Sequence, residues 1–113
     1  MLDLRHLTAQ TMGDADLARD VLGMFFEQSN DVLRSLRDAR DPRGRSDAAH
    51  RLKGAARAVG AFAVAAHAER VEGLADEADE GAVLAVVAGL HAAVAEARTV
   101  IAARLQDRQV GGL

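Results

Sequence analysis

Apolar residues recur at three- and four-residue intervals along nearly the whole chain, the spacing of helices buried on one face. The segment Asp3 to Ala9, with Leu4 and Leu7, predicts a short helix. Gly13-Asp14 interrupts the pattern, and Asp14 is a suitable N-cap for a second helix. Leu17, Val21, Met24/Phe25, Val32 and Leu36 then keep helical register to about Arg40. Asp41-Pro42-Arg43-Gly44 predicts a turn, since Pro fixes φ and Gly permits positive φ. Ser46 is the expected cap of the next helix, which runs to about Val59 and stops at Gly60. A further helix is predicted from about Phe62 to Ala78, with Val64, Val71 and Leu74 apolar, broken by Asp79-Glu80-Gly81. The last runs from about Ala82 to Gln106, with Val83, Val87, Leu90, Val94, Ala97 and Ile101 as a continuous stripe. The tail, from about 107 to Leu113, is expected to fray.

Four substantial helices joined by short turns predict an all-α fold. The expected form is an up-down antiparallel four-helix bundle with a short extra N-terminal helix across one end. With 113 residues the chain suits one domain, 1–113, and is too short for two. Half of the residues are apolar, but only 3% are aromatic, so a core of Ala, Val and Leu must form by close approach of the helices. Long β-branched or aromatic runs are absent, which argues against a sheet.

Cysteine is absent, which excludes disulfides and thiolate metal sites. The N-terminus carries charge where a signal peptide needs an apolar run. The longest uncharged stretch, Gly81 to Ala95, has 15 residues, short of the ~20 that a membrane span requires. A cytoplasmic protein that binds no membrane is the expectation. The net charge of −3 gives no ground for nucleic-acid binding. Charge is nevertheless uneven: Arg37 to Arg57 holds seven basic and three acidic residues, and Glu69 to Glu80 six acidic and one basic. The two runs are either solvated faces of opposite sign or, for the first, a surface that attracts an acidic partner.

Candidate chemistry centres on His50. Lys53 is the only lysine, beside thirteen arginines. At ~100° per residue, Lys53, Gly54 and Arg57 fall within roughly 60° of His50, while Ala48, Leu52, Ala55 and Val59 fall roughly opposite. His50 is therefore displayed on the surface. Gly54 costs its helix about 1 kcal/mol relative to Ala, and in a chain so rich in alanine this suggests that another molecule approaches closely there. His67 shares the stripe of Val64 and Val71 and is expected to be partly buried; His91 is peripheral, and His6 lies in or near the first helix. No pair of histidines has the i, i+4 spacing of a helical metal site, so no metal is expected. Phosphate-binding loops and nucleophile elbows are likewise missing. No cofactor of its own and no enzymatic cycle is expected.

The run Ala48-Ala49-His50-Arg51-Leu52-Lys53-Gly54-Ala55-Ala56-Arg57-Ala58-Val59-Gly60-Ala61 resembles the signature of the histidine-containing phosphotransfer (HPt) family, His-x-Leu-Lys-Gly followed by Gly-Ala. Val71-Glu72 stands where the family usually has Leu-Glu or a similar pair. The resemblance implies a carrier that relays phosphoryl groups between response-regulator receiver domains, with a hybrid sensor histidine kinase as a further partner. It implies His50 as phosphoacceptor through Nε2, Lys53 as a neutraliser of phosphoryl charge, and Gly54 as room for the receiver. Arg57 would be a second cation, and Glu72 a holder of His50 Nδ1–H. Mg²⁺ would belong to the receiver. Ala49, Arg51, Ala58, Leu7 and Met12 are candidate partner contacts, and the chain is expected to act as a monomer. The alternative is a degenerate adaptor that binds receivers without being phosphorylated; the intact His50, Lys53 and Gly54 argue against it.

Overall fold

A computed structural model describes residues 2–38, 41–74 and 79–111, without side chains at 37–38 and 107–111. These residues form five helices: α1 (Leu4–Gln10), α2 (Ala15–Asp38), α3 (Pro42–Val59), α4 (Phe62–Glu72) and α5 (Glu80–Gly111). The fold is all-α. α2 packs on α3 and α5, α3 on α4, and α4 on α5, which closes a bundle; α1 lies against α2 and α3. The long axis of 52 Å is set by α5, since a helix rises ~1.5 Å per residue. Phe25, Leu52, Val59, Val64, Val71, Leu90, Val94 and Ile101 fill the centre and are almost wholly buried. Between them sit Ala48, Ala49, Ala56, Ala65 and Ala68, also buried, and these small side chains bring α3 and α4 close together.

Asp14 caps α2 as expected, whereas the caps of α1 and α3 are residues the sequence reading did not assign. Asp3 accepts the His6 amide at 3.0 Å and Asp14 the Leu17 amide at 3.0 Å. The segment Asp41 to Gly44 is not a free turn. Asp41 caps α3 by accepting the Gly44 amide at 2.6 Å, and Pro42 takes the first helical position. Pro lacks an amide hydrogen, which is no loss at that position, and its φ is already helical. α3 therefore begins one turn before Ser46, and His50 sits near its middle rather than in its first turns.

The end of α3 follows the expected plan. Gly60 adopts φ +80°, and the Ala61 amide reaches back to the Ala56 carbonyl at 2.8 Å. This left-handed cap also seats α1. The Asp3 amide donates to the Gly60 carbonyl at 2.9 Å, and a Cβ on Gly60 would come within 2.6 Å of the Asp3 carbonyl oxygen.

α4 is shorter than expected. It stops at Glu72, with Gly73 as its cap, and Leu74 lies beyond it. The Leu74 carbonyl accepts Arg45 Nη2 at 2.9 Å. The remainder of the predicted helix, 75–78, lies outside the described residues, as do 39–40 at the end of the predicted second helix. α5 is longer than expected. Asp79 accepts the Gly81 and Ala82 amides at 2.9 and 3.3 Å, so the expected break is the first turn of α5. At its far end α5 continues through Gly111, into the segment expected to fray; 112–113 lie outside the described residues.

The window Glu80–Gln106 of α5 is long and apolar enough to cross a membrane, although its uncharged run is not. Leu90, Val94, Ala97 and Ile101 form the stripe that closes the bundle core. Arg98, on the flank of that stripe, stacks 3.8 Å over the Phe26 ring and donates to the Phe26 carbonyl and to buried Ser29. A guanidinium tied down in this way clamps α5 to α2.

Candidate functional site

The middle of α3 brings together the residues singled out from the sequence. Leu52 faces the core at 1% exposure, which turns the His50 side chain outward at 69% exposure. Glu72, in the last turn of α4, lies beside it. His50 Nδ1 and Glu72 Oε2 are 3.0 Å apart. An ionised carboxylate has only acceptors, so Nδ1 carries the hydrogen and donates it. In the neutral imidazole the other ring nitrogen, Nε2, is thereby left with its lone pair. Of the site residues read from the sequence, Glu72 rested on the least specific signal, and the geometry brings it to the centre.

Lys53 is placed differently from the expectation. Its ammonium turns toward α4 and contacts Glu72 Oε1 at 2.5 Å, with only 14% of the side chain exposed. Lys53, Glu72 and His50 thus form a chain of cation, carboxylate and imidazole. The Lys53 contact is the main reason the Glu72 carboxyl is held below the usual carboxylate range. Partial burial opposes this, and the His50 contact assists it.

Gly54 lies in the next turn of this helix, on the exposed side. A Cβ placed on it would meet nothing within 4 Å. No internal packing accounts for this glycine, in contrast to Gly60. Arg57, Arg51 and Ala58 are exposed on α3, as is Arg43 in its first turn. Arg45 is half-buried and bound to the Leu74 carbonyl. The basic character around His50 therefore comes from Arg43, Arg51 and Arg57.

The partner contacts suggested by the sequence divide into two groups. Met12 is 88% exposed at the α1–α2 turn, and Arg51 and Ala58 are open. Ala49 and Leu7 are corrections: they are 0% and 3% exposed and are unavailable to a partner. Ala49 lies in the tight α3–α4 seam. Leu7 is the residue by which α1 is anchored to the bundle. The helical wheel of α3 alone did not show that α4 covers Ala49.

Two residues were assigned to the core stripe of α2 and lie outside it. Leu17 and Met24 are 40% and 65% exposed. They are seven residues apart, hence on one face, and on a helical wheel fall roughly 100° from the Leu22, Phe25, Ser29, Val32 and Leu36 stripe. Phe26 and Ser29, bound by Arg98, mark the α5 side of α2; Leu17 and Met24 are on the flank toward α3. Their offset from the main stripe was the available signal.

The other histidines are structural or peripheral. His67 is half-buried and lies against Gly89 of α5, where a Cβ would come within 3.1 Å of its ring. His6 packs edge-on against Phe62 at 5.0 Å. His91 lines a groove between α2 and α5. Among the described residues, no group of three or more His, Asp or Glu is arranged to hold a metal ion.

The exposed imidazole at mid-helix, held from behind by a carboxylate, stands where the resemblance to the HPt family places its histidine. The sequence comparison agrees: residues 20–100 match the Hpt domain, and the chain belongs to that family. Comparison with curated proteins and with solved structures gives no match.

Proposed function

We propose that the protein relays a phosphoryl group between aspartate receiver domains of a multistep phosphorelay, as a phosphohistidine on Nε2 of His50. The observation that carries this reading is the Nδ1–H to Glu72 contact, which leaves Nε2 as the nucleophile at the exposed edge of the ring.

In the transfer, the Nε2 lone pair attacks the phosphorus of an aspartyl phosphate in line. The N–P bond forms as the P–O bond to the aspartyl carboxylate breaks, and the carboxylate leaves as an anion. No proton moves. Nδ1 keeps its hydrogen, so positive charge grows on the ring, and the Glu72 carboxylate stabilises it at 3.0 Å. Passage to a second receiver is the same step in reverse. Phosphoryl transfer asks of the protein mainly positioning and electrostatics.

The receiver supplies the acidic pocket and its Mg²⁺; this chain supplies the acceptor and the docking face. Gly54 leaves room beside His50, while Met24, Leu17, Ala58 and Met12 offer apolar contact. Arg43, Arg51 and Arg57 complement the acidic pocket and speed encounter in a salt-dependent way. A hybrid sensor kinase presents the same receiver chemistry. Such a relay operates in the cytoplasm, and the chain acts as a monomer, since its helices bury one another's stripes.

The test is intact mass after incubation with a phosphorylated receiver and Mg²⁺, for wild type and His50→Gln. The expected result is a gain of one phosphoryl group, acid-labile and base-stable, which the variant lacks while melting normally. Failure to label with several receivers supports the adaptor reading instead. Labelling that persists in His50→Gln moves the acceptor to another residue.

A further inference from the structure

Away from His50, we infer a second binding site, for a small apolar molecule that carries one carboxylate, at the end of the bundle where α1, α2 and α5 come together. A cavity of about 450 Å³ lies there, lined by α1, the α1–α2 turn, the first turns of α2, and Arg104 and Leu105 of α5. No residue of α3 or α4 lines it, so it is separate from His50 and Glu72. Its volume falls in the range of pockets that take small organic molecules, about 300–1,000 Å³.

The cavity exists because α1 is held from two sides only. Buried Leu7 and the Asp3–Gly60 hydrogen bond seat α1 on α2 and α3, and it does not pack on α5. The wedge left between α1 and α5 has an apolar floor. Leu22 of α2 is buried there and Leu105 half-buried, and Leu4, at 41% exposure, lines the cavity without joining the core.

The polar groups at this cavity divide into engaged and free. The Thr8 and Thr11 hydroxyls donate to the Leu4 and Leu7 carbonyls at 2.8 Å. Asp14, the one acid in the lining, accepts the Leu17 amide at 3.0 Å as the cap of α2. Half-buried Arg19 makes a single long hydrogen bond, from Nη1 to the Leu105 carbonyl at 3.4 Å, and the rest of its five-donor fork is uncommitted. Arg104 is exposed and forms no ion pair or hydrogen bond among the described residues. The free groups are therefore guanidinium donors from two helices, set beside a leucine floor. A carboxylate matches such a fork in shape and charge, and an apolar body covers the leucines. A fully polar anion leaves the floor unused, and a neutral apolar molecule leaves both guanidinium groups unpaired. The bound molecule bridges α1, α2 and α5, which only the folded chain brings together, so it stabilises the fold in step with its occupancy.

The test titrates the full chain with three probes of one shape and different charge: octanoate, octanamide and octylammonium. Calorimetry gives the affinities, and ¹H–¹³C spectra of the leucine methyl groups give the place. Octanoate is expected to bind saturably, roughly 10-fold or more tighter than octanamide, with octylammonium weakest. The shifts should centre on Leu4, Leu22 and Leu105, and the thermal midpoint should climb with octanoate concentration. Arg104→Gln, at an exposed position, should lower octanoate affinity about 10-fold and leave octanamide unchanged. Thr8→Trp, which sets a ring into the cavity from the exposed side of α1, should abolish binding while helicity is retained. Octanoate that does not saturate, shifts centred elsewhere, equal affinity for the three probes, or full affinity in Arg104→Gln or in a folded Thr8→Trp overturns the proposal. None of these readouts uses His50, so the outcome is independent of the relay function.

Discussion

Replacing Gly54 by Ala should stabilise the free protein and impair its transfer reaction. The site lies inside α3, and a Cβ there meets nothing within 4 Å, so the methyl group adds no clash. What remains is the helix propensity difference, about 1 kcal/mol in favour of Ala. For a domain near this size, that raises the midpoint of thermal unfolding by roughly 4 °C. A receiver that docks against Gly54 meets the new carbon. If it is held off by ~1 Å, transfer slows by about 10²-fold, because in-line attack tolerates little displacement. Phosphoramidate, which is small, should label Gly54→Ala at the wild-type rate. Thermal melts followed by circular dichroism, with the two labelling rates, make the assay. Gly60→Ala is the internal control of opposite sign: at φ +80°, with a Cβ 2.6 Å from the Asp3 carbonyl oxygen, the strained backbone costs about 1–2 kcal/mol and loosens α1. A Gly54→Ala protein that melts lower than wild type refutes the packing argument. One that accepts phosphoryl from a receiver at full rate refutes the idea that this glycine is there for the partner.

The ionic contacts give two more expected outcomes. Arg98→Ala removes the stack on Phe26 and the charged hydrogen bonds to the Phe26 carbonyl and Ser29, and should cost about 2–3 kcal/mol, read as an earlier urea midpoint; a loss within about 0.5 kcal/mol, the usual effect of a surface substitution, shows that the clamp contributes little. The Glu72 carboxyl titrates lower in the folded chain than when unfolded, chiefly through Lys53, so its contribution is present above the unfolded value of about 4.3 and is lost as pH falls through the native one. The stability gap between wild type and Glu72→Gln should therefore narrow between urea melts at about pH 6 and about pH 3, and a gap independent of pH contradicts the assignment.

Helical periodicity, capping residues and the His-x-Leu-Lys-Gly pattern made much of this protein legible. The all-α class, the number of helices, the αL stop at Gly60 and the outward display of His50 are local properties of the chain. Each comes from the pitch of a helix or the freedom of a single residue. Boundaries were less certain where two local readings compete. Asp41-Pro42 opens a helix as readily as it makes a turn, and the Asp41 contact with the Gly44 amide decided for the helix.

Tertiary structure decided which neighbour each side chain meets. A wheel drawn for α3 shows that Lys53 and His50 share a side, but it is α4 that brings Glu72 to the ammonium. It is also α4 that buries Ala49, and packing onto the bundle that buries Leu7. Leu17 and Met24, apolar and in helical register, look like core until the other helices take their places and leave both exposed. The physical reason is the same in each case. Periodicity fixes directions about one helix axis, whereas burial, ion pairing and a lowered carboxyl pKa depend on where a second helix lies.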